Sequence, residues 1–240
     1  MFSGKEKKCC PRSGKNENSI TRVLLARRGR AVEGEAKRTK PIRVSMAWRE
    51  QILKSLKKNS RLPYARYAQL ATVREDGRPA NRTIVYRGFL QDTPKLTFVT
   101  DRRSKKIGEL RANPSVELCW YFPQTREQYR IAGTMRVVKV DDEDEAMLRA
   151  RGEAWKRMSD GARSQFAWPF PGIERGGDDS AFSPDPVTAD LPPLEEFCLL
   201  VLDPERVDHL SLKSNERTVF SRSSEGEGGP TAWDRLRVNP

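Results

Sequence analysis

The sequence predicts a mainly β, α+β fold of barrel type with flanking helices. Two observations carry that expectation: about eight short runs rich in β-branched and aromatic residues lie between turn signals, and helical periodicity is confined to three stretches. Strands that follow one another directly can pair as antiparallel neighbours, whereas a parallel sheet needs a crossover between each pair.

The first helical stretch spans residues 46–58, where Trp48, Ile52 and Leu56 recur at helical spacing with Leu53 beside them, and Asn59 and Pro63 close it. Residues 67–73 then read as a strand, Glu75-Asp76-Gly77 as a tight turn and residues 81–90 as a second strand, which makes a hairpin. After Gln91-Asp92-Thr93-Pro94, residues 96–100 alternate and β-branch as the third strand of a meander. Ser104 stands at an N-cap position before a short helix carrying Ile107 and Leu110, which Asn113-Pro114 ends. Residues 116–122 and 129–140 are two more strands around Pro123-Gln124-Thr125. Asp141-Asp142 open a helix running to Met158, with Met147, Ala150, Ala154 and Met158 on its buried face. Residues 169–193, rich in Pro, Gly and Asp, form a long excursion of the kind that often carries function. Strands at 197–202, 207–212, 218–221 and 233–238 complete the chain, with a flexible turn at 226–230.

A chain of 240 residues suits one domain with appendages, and 36% hydrophobic against 32% charged residues puts part of the length outside the packed body. Residues 1–45 hold thirteen Lys/Arg and four Glu, a balance of +9 out of the formal +12, so residues 46–240 carry only about +3. A nucleic-acid binder is expected to show its basic face on the folded part, so nucleic acid is not the expected partner. The tail's longest apolar run, Val23-Leu24-Leu25-Ala26, is too short for a secretory core or a membrane span, and no membrane partner is expected. Two readings of the tail stand side by side. An Arg-rich leader would send the protein to a plastid or mitochondrion, against which Glu33 and Glu35 count; a disordered tail would leave it cytoplasmic. Cys9 and Cys10 are adjacent in the tail, and Cys119 and Cys198 sit in strand-like runs, so neither zinc spacing nor a disulfide framework is expected.

The chemistry-bearing residues are few. The single histidine, His209, lies in a strand run without a nucleophile motif, which argues for a structural role and against a hydrolytic triad. Dinucleotide fingerprints, P-loops and metal-ligand clusters are absent from the sequence. What remains is Arg82 in the second strand, Thr100 closing the third, and Ser104-Lys105-Lys106 opening a helix. Arginine forks, lysine charges, hydroxyls and helix N-terminal amides are the groups that hold a phosphate dianion. Taken alone, Arg102-Arg103-Ser104-Lys105-Lys106 is equally a solvated basic loop.

The order Asn81-Arg82-Thr83-Ile84-Val85-Tyr86-Arg87, Leu96-Thr97-Phe98-Val99-Thr100, Arg103-Ser104-Lys105-Lys106 and Ala112-Asn113-Pro114-Ser115-Val116 resembles the flavin-binding half of the pyridoxamine 5′-phosphate oxidase family. Phe166-Ala167-Trp168-Pro169-Phe170-Pro171-Gly172 resembles the branch typified by a cyanobacterial flavin-binding protein and its plant relatives. The resemblance implies an FMN-binding split β-barrel over residues 46–240, working as a homodimer with flavin mononucleotide (FMN) between the subunits. It implies that Arg82, Lys105 and Lys106 grip the flavin phosphate, with Thr100 and Ser104 adding donors. It also implies that Ile84, Val85, Val99 and Gln128 lie along the ring, although the first three would be core in any barrel and Gln128 could cap a strand.

Arg87 matches a basic position near the substrate phosphate, and Arg163, Ser164 and Arg217 are further substrate candidates. Asn215-Glu216-Arg217, Trp233, Arg237, Val238 and Pro240 resemble the family's C-terminal pattern, but Val219 stands where its enzymes usually carry a histidine. The implied activity is oxidation of pyridoxine or pyridoxamine 5′-phosphate to pyridoxal 5′-phosphate, a step of vitamin B6 metabolism, with molecular oxygen as acceptor and the flavin doing the redox step. The alternatives are an FMN-binding split-barrel protein or reductase with another substrate, and a non-enzymatic module acting through its basic tail.

Overall fold

The computed structural model describes residues 42–223 and 232–240, so the basic tail up to residue 41 and the expected turn at 226–230 lie outside the described residues. All strands are antiparallel neighbours in one sheet, ordered β1 (Ile42–Ser45), β10 (Ala232–Val238), β9 (Glu216–Arg222), β8 (Phe197–Ser211), β7 (Glu127–Val138), β6 (Ser115–Phe122), β2 (Tyr67–Val73), β3 (Pro79–Val85). Off that path, β4 (Gly88–Phe89) pairs with β5 (Leu96–Asp101), and β5 pairs with β8. Among the described residues four α-helices flank the sheet: α1 (Ala47–Lys58), α2 (Lys105–Ala112), α3 (Glu145–Lys156) and α4 (Asp160–Ser164). Strand β1 precedes Met46 and pairs with β10 through Val44 opposite Trp233.

Strand β8 is the trunk. The sequence suggests two strands here, at 197–202 and 207–212; the structure has one of fifteen residues across Pro204, paired along its length with β7. The register shifts between Ala132 and Gly133, where Glu205 is the extra residue, so the proline falls at a bulge where no ladder N–H is needed. Its first half has β5 on the other side, Leu96 opposite Leu202 through Asp101 opposite Phe197, and its second half has β9. The sheet divides at this exchange of neighbours. Gly133 makes the crossing possible, because a Cβ there would collide with the Asp203 carbonyl and lie 2.8 Å from Pro204 Cα.

The expected strand at 81–90 also needs correction. The chain leaves β3 at Val85, Tyr86 N donates to Arg66 O (2.8 Å), Arg87 N donates to Thr97 O (2.8 Å), and β4 restarts against β5. Gly88, at φ 137°, supplies the backbone turn that a side chain would oppose. The segment thus hands over from β2 to β5 and carries Arg82 and Arg87 on the joint.

The main core joins α1 to the barrel: Trp48 and Ile52 pack among Leu70, Phe98, Trp120, Phe122, Ile131, Phe220 and Trp233. Leu53 is exposed and Leu56 only leans on this core. A second core of Trp155, Met158, Phe166, Val187 and Phe197 lies under α3 and α4, and a third joins Val138, Leu199 and Val201 to Met147, Ala150 and Ala154. Helix α3 starts later than Asp141, because the Asp144 carboxylate accepts from Ala146 N (2.9 Å) and Met147 N (3.2 Å) as its cap. Its fully buried residues include Arg151, which donates to the carbonyls of Phe197 (2.9 Å) and Leu194 (2.7 Å).

A polar pin fixes α1 against β7 and β8. Ser55 Oγ donates to Glu127 Oε2 (2.7 Å) and lies 3.0 Å from the Tyr129 hydroxyl, while His209 Nε2 is 3.2 Å from Glu127 Oε1 and its ring stacks on Tyr129 at 4.5 Å. Burial raises the Glu127 carboxyl, but bonds from His209, Thr125 and Ser55 outweigh it and bring the pKa to about 2. His209 is therefore built into this pin, as its lack of a nucleophile partner suggests.

Two outcomes follow from these contacts. Gly133→Ala is expected to cost roughly 2–4 kcal/mol in denaturant unfolding, since neither facing backbone group can retreat from the added methyl. The folded Glu127 pKa lies below its ordinary 4.5, so its stabilisation is complete above that pH and is lost as the pH falls toward about 2. Glu127→Gln should lower stability at neutral pH and flatten the acid limb of a pH series of melting temperatures.

Candidate functional site

Arg82 reaches its place by hairpin geometry. Arg74 and Arg78 close the β2–β3 turn (Arg74 N to Arg78 O, 2.9 Å), Gly77 takes φ 79° within it, and the register sets Arg82 opposite Leu70. Its guanidinium donates to Thr72 Oγ1 and, at 2.5 Å, to Glu109 Oε2, which also accepts from Thr72 Oγ1 at 2.6 Å. Burial raises the Glu109 carboxyl, yet the bonds from Thr72 and Arg82 carry it net below its ordinary value.

From the other side, β5 ends at Asp101 and the chain turns into α2. Ser104 N donates to Asp101 O (3.1 Å) and Ser104 Oγ donates to the same oxygen (2.8 Å), so Ser104 makes no side-chain cap to the helix amides. Lys106, in the first turn, bends back and donates to Thr100 Oγ1 (2.9 Å) and Ser104 Oγ (3.0 Å). Among the described residues no carboxylate forms an ion pair with it. Burial lowers the Lys106 pKa and the charge of Arg82 lowers it further, so the two cations share one desolvated space. Such a space stabilises an anion.

These groups line a cavity of about 810 Å³, a volume that suits a cofactor-sized ligand. Its barrel wall runs from Arg82 through Ile84, Val85 and Arg87 to Val99, Thr100, Asp101, Arg103 and Lys106. Its opposite wall is Met158, Gln165, Phe166 and the segment Trp168–Phe170 with Phe182, which brings the expected functional excursion onto the site. Trp168 and Phe182 meet edge to face at 5.7 Å, and Arg175 lies 4.1 Å over the Phe182 ring. Arg87 stands on the border with a second cavity of about 510 Å³ that Arg66 also lines. The Arg87 Nε is buried without a hydrogen-bond partner, and burial, then the charge of Arg66, lowers its pKa.

Of the residues singled out by sequence, Arg82, Ile84, Val85, Arg87, Val99, Thr100 and Lys106 share this cavity, and Ser104 joins through Lys106. The others are elsewhere in this chain. Lys105 points to solvent from the exposed side of α2. Gln128 alternates with the core residue Tyr129 and so lies on the outer face of β7, opposite Tyr121 and Leu210. Arg163 is 2% exposed and donates to the carbonyls of Val187 (2.8 Å), Trp155 (3.2 Å) and Met158 and to Asp160, which ties α4 to the 187 segment. Ser164 Oγ donates to Asp160 O (3.0 Å) and accepts from Val187 N (3.2 Å). Arg217 is held bidentately by Asp208 (2.9 and 2.7 Å) on the outer face. These three side chains already have partners and do not enter the cavity of their own chain.

Sequence reasoning missed Arg103 and the aromatic wall. The signal for Arg103 was present: an aspartate at a strand end can accept from the amide two residues on, which here sets Arg103 N on Asp101 Oδ1 at 2.7 Å. The long reach from Arg103 to Trp168 O had no sequence signature.

A family model described as the FMN-binding domain of pyridoxamine 5′-phosphate oxidase matches residues 45–139. Pyridoxine/pyridoxamine 5′-phosphate oxidase 2 of Arabidopsis thaliana is 39% identical over 195 residues, covering 80% of this chain and 96% of its own. A pyridoxine/pyridoxamine 5′-phosphate oxidase of Rubrobacter xylanophilus is 31% identical over 71% of this chain and 76% of its own. A crystal structure from Nostoc punctiforme of a pyridoxamine 5′-phosphate oxidase-related, FMN binding protein is 45% identical, with a TM-score of 0.76 over 81% of this chain and 98% of its own.

The cation pair predicts a simple binding result. Millimolar inorganic phosphate should raise the melting temperature of the cofactor-free chain by a few degrees, an effect that Lys106→Met abolishes. Because the Lys106 pKa is lowered, the protection should fade on the alkaline side at a lower pH than an ordinary lysine would give.

Proposed function

From the premise that the chain belongs to the pyridoxamine 5′-phosphate oxidase family and has its FMN-binding split-barrel fold, we propose that it is an FMN-dependent oxidase of pyridoxine or pyridoxamine 5′-phosphate, working as a homodimer. One observation supports this reading above the others. One cavity lining holds two cationic positions, Arg82 of β3 with Lys106 of α2, and Arg87, whose Nε has no partner. A phosphorylated cofactor beside a phosphorylated substrate requires two such positions.

The residues present fit FMN. The Lys106 ammonium, the remaining N–H groups of Arg82 and the Thr100 and Ser104 hydroxyls are a phosphate's donor set, and Ile84, Val85 and Val99 offer an apolar strand edge to a planar ring. Bound FMN would supply the two-electron redox chemistry by which the amine or alcohol carbon is oxidised and molecular oxygen reduced to hydrogen peroxide.

This chain's own residues bind and orient. Arg87, with Arg66 beyond it, would hold the substrate phosphate and so fix the distance from that phosphate to the reacting carbon. The wall of Trp168, Phe170 and Phe182 would cover the reacting face and exclude water. Gln128 and Arg217 could serve the reaction only across a subunit boundary, since both lie on the outer face of their own sheet. The homodimer thus remains part of the proposal.

A second reading, an FMN-dependent protein with another substrate, draws on the substrate side. Val219 replaces a histidine of the family pattern, and Arg217 is already neutralised by Asp208. One experiment separates the two. The purified full chain with FMN should show a flavin spectrum and convert pyridoxine 5′-phosphate to pyridoxal 5′-phosphate with one peroxide per turnover. Arg87→Ala should retain the flavin but lose roughly 30- to 100-fold in kcat/KM, the worth of one charge-assisted phosphate contact. A yellow protein without this turnover would favour the second reading.

A further inference from the structure

We propose that Arg103 is a positioning residue, a strap that holds the segment from Phe166 to Phe170 across the cofactor cavity and thereby slows escape of the bound flavin. Its ligand rests on the FMN reading above; the strap itself is a property of the cofactor-free chain.

The argument begins with Asp101. Its carboxylate accepts from the Arg103 backbone amide (2.7 Å), from Nε (3.0 Å) and from Nη2 (2.6 Å), so the guanidinium is fixed at the end of β5 before it meets anything else. The pair is largely shielded, with side chains 17% and 19% exposed. The rest of the fork faces the opposite wall, where Nη1 donates to Trp168 O (3.0 Å) and Nη2 to Phe166 O (3.3 Å), with the Phe170 ring centroid 5.9 Å from Cζ.

These contacts span the cavity between its two walls. One end is the β5–α2 corner that carries Thr100, Ser104 and Lys106, and the other is the 3-10 turn Gln165–Ala167 and the residues after it. Upstream, Phe166 is anchored in the second core, 5.1 Å from the Phe197 ring. Downstream, Trp168, Phe182 and Arg175 brace one another. Between those anchors, Arg103 ties the aromatic wall to the barrel. A phosphate ligand would need spare charge and a free fork, and Arg103 has neither: Asp101 neutralises it, and four of its five N–H groups are given to that carboxylate and two carbonyls. Lysine carries the charge but cannot make this set of bonds.

The test uses the full chain as parent, Arg103→Gln and Arg103→Lys. Flavin release after dilution, followed by recovery of free FMN fluorescence, should quicken about tenfold in both variants, the value of one charge-assisted hydrogen bond in closure. In the cofactor-free proteins, chymotrypsin should cut after Phe166, the aromatic residue of this segment that no proline follows, faster in both variants than in the parent. Protection by inorganic phosphate should be unchanged, unlike in Lys106→Met. If Arg103→Lys restores parental release, charge and not the fork is what matters, and the strap is refuted. It is refuted equally if release stays within about twofold of the parent and cleavage is unaltered. Loss of phosphate protection would recast Arg103 as an anion ligand and overturn the proposal. Should the parent take up no FMN, the flavin reading fails while the cleavage comparison still decides the strap. If Arg103→Gln does not fold, Asp101→Asn, which frees the guanidinium without deleting it, should show the same faster cleavage, and unchanged cleavage would refute the strap.

Discussion

Lys106 carries its charge into a space where burial and the neighbouring Arg82 both disfavour it, and only two hydroxyls receive its protons. Arg82 has a counter-ion in Glu109, so the cofactor-free chain leaves one cation compensated and the other not. That imbalance is what suits the corner to an anion. Had a second carboxylate answered Lys106, a phosphate would have to displace it and the gain on binding would shrink. A neutral residue in place of Lys106 would leave Arg82 paired with Glu109 and no uncompensated charge at this corner.

The sheet's division produces this corner. Because β8 exchanges β5 for β9 at the bulge beside Gly133, β5 keeps to the first half of β8, from Leu96 opposite Leu202 to Asp101 opposite Phe197, and turns into α2 where β8 begins. The handover at Tyr86 and Arg87 completes the arrangement, since it moves one strand's residues from the hairpin to the β5 side within a few positions. Packing then makes the corner rigid: Tyr86 rests 4.8 Å from Trp120 and 6.2 Å from Phe98, so the arginines on either side of it project from a fixed aromatic base. A rigid base allows a few polar contacts to act without first being ordered.

Much of this could be read from residue order. Strand runs, the Ser104 helix start and the Asn113-Pro114 exit are legible from local residue types, although the Ser104 hydroxyl turns back to Asp101 O and does not cap the helix amides. The continuity of β8 was hidden because Pro204 is a breaker by local rules and tolerable only where its partner strand bulges. Leu53 and Leu56 look alike by spacing, yet only Leu56 meets the core, a distinction set by what the helix packs against. The aromatic wall was legible only as a branch resemblance at Phe166 to Gly172 and as a long excursion after it, because Trp168, Phe170 and Phe182 are brought together by contacts made far along the chain.

Arginine illustrates why the site was partly misread. Sequence assigns Arg82, Arg87, Arg163 and Arg217 the same capacity to hold a phosphate, and their partners then sort them. Arg163 is buried among carbonyls and Arg217 is spent on Asp208, so each contributes to the fold instead of waiting for a ligand. Arg87 is the reverse case, a guanidinium with a buried Nε that nothing in the described chain satisfies, next to another positive charge. Desolvated donors left open cost stability, and the cost is recovered only when an anion arrives. Under the proposed function the ligand falls to cations such as Lys106 and Arg87 that the described chain leaves without a carboxylate, whereas Arg103 and Arg163 are used to hold the cavity's surroundings in place.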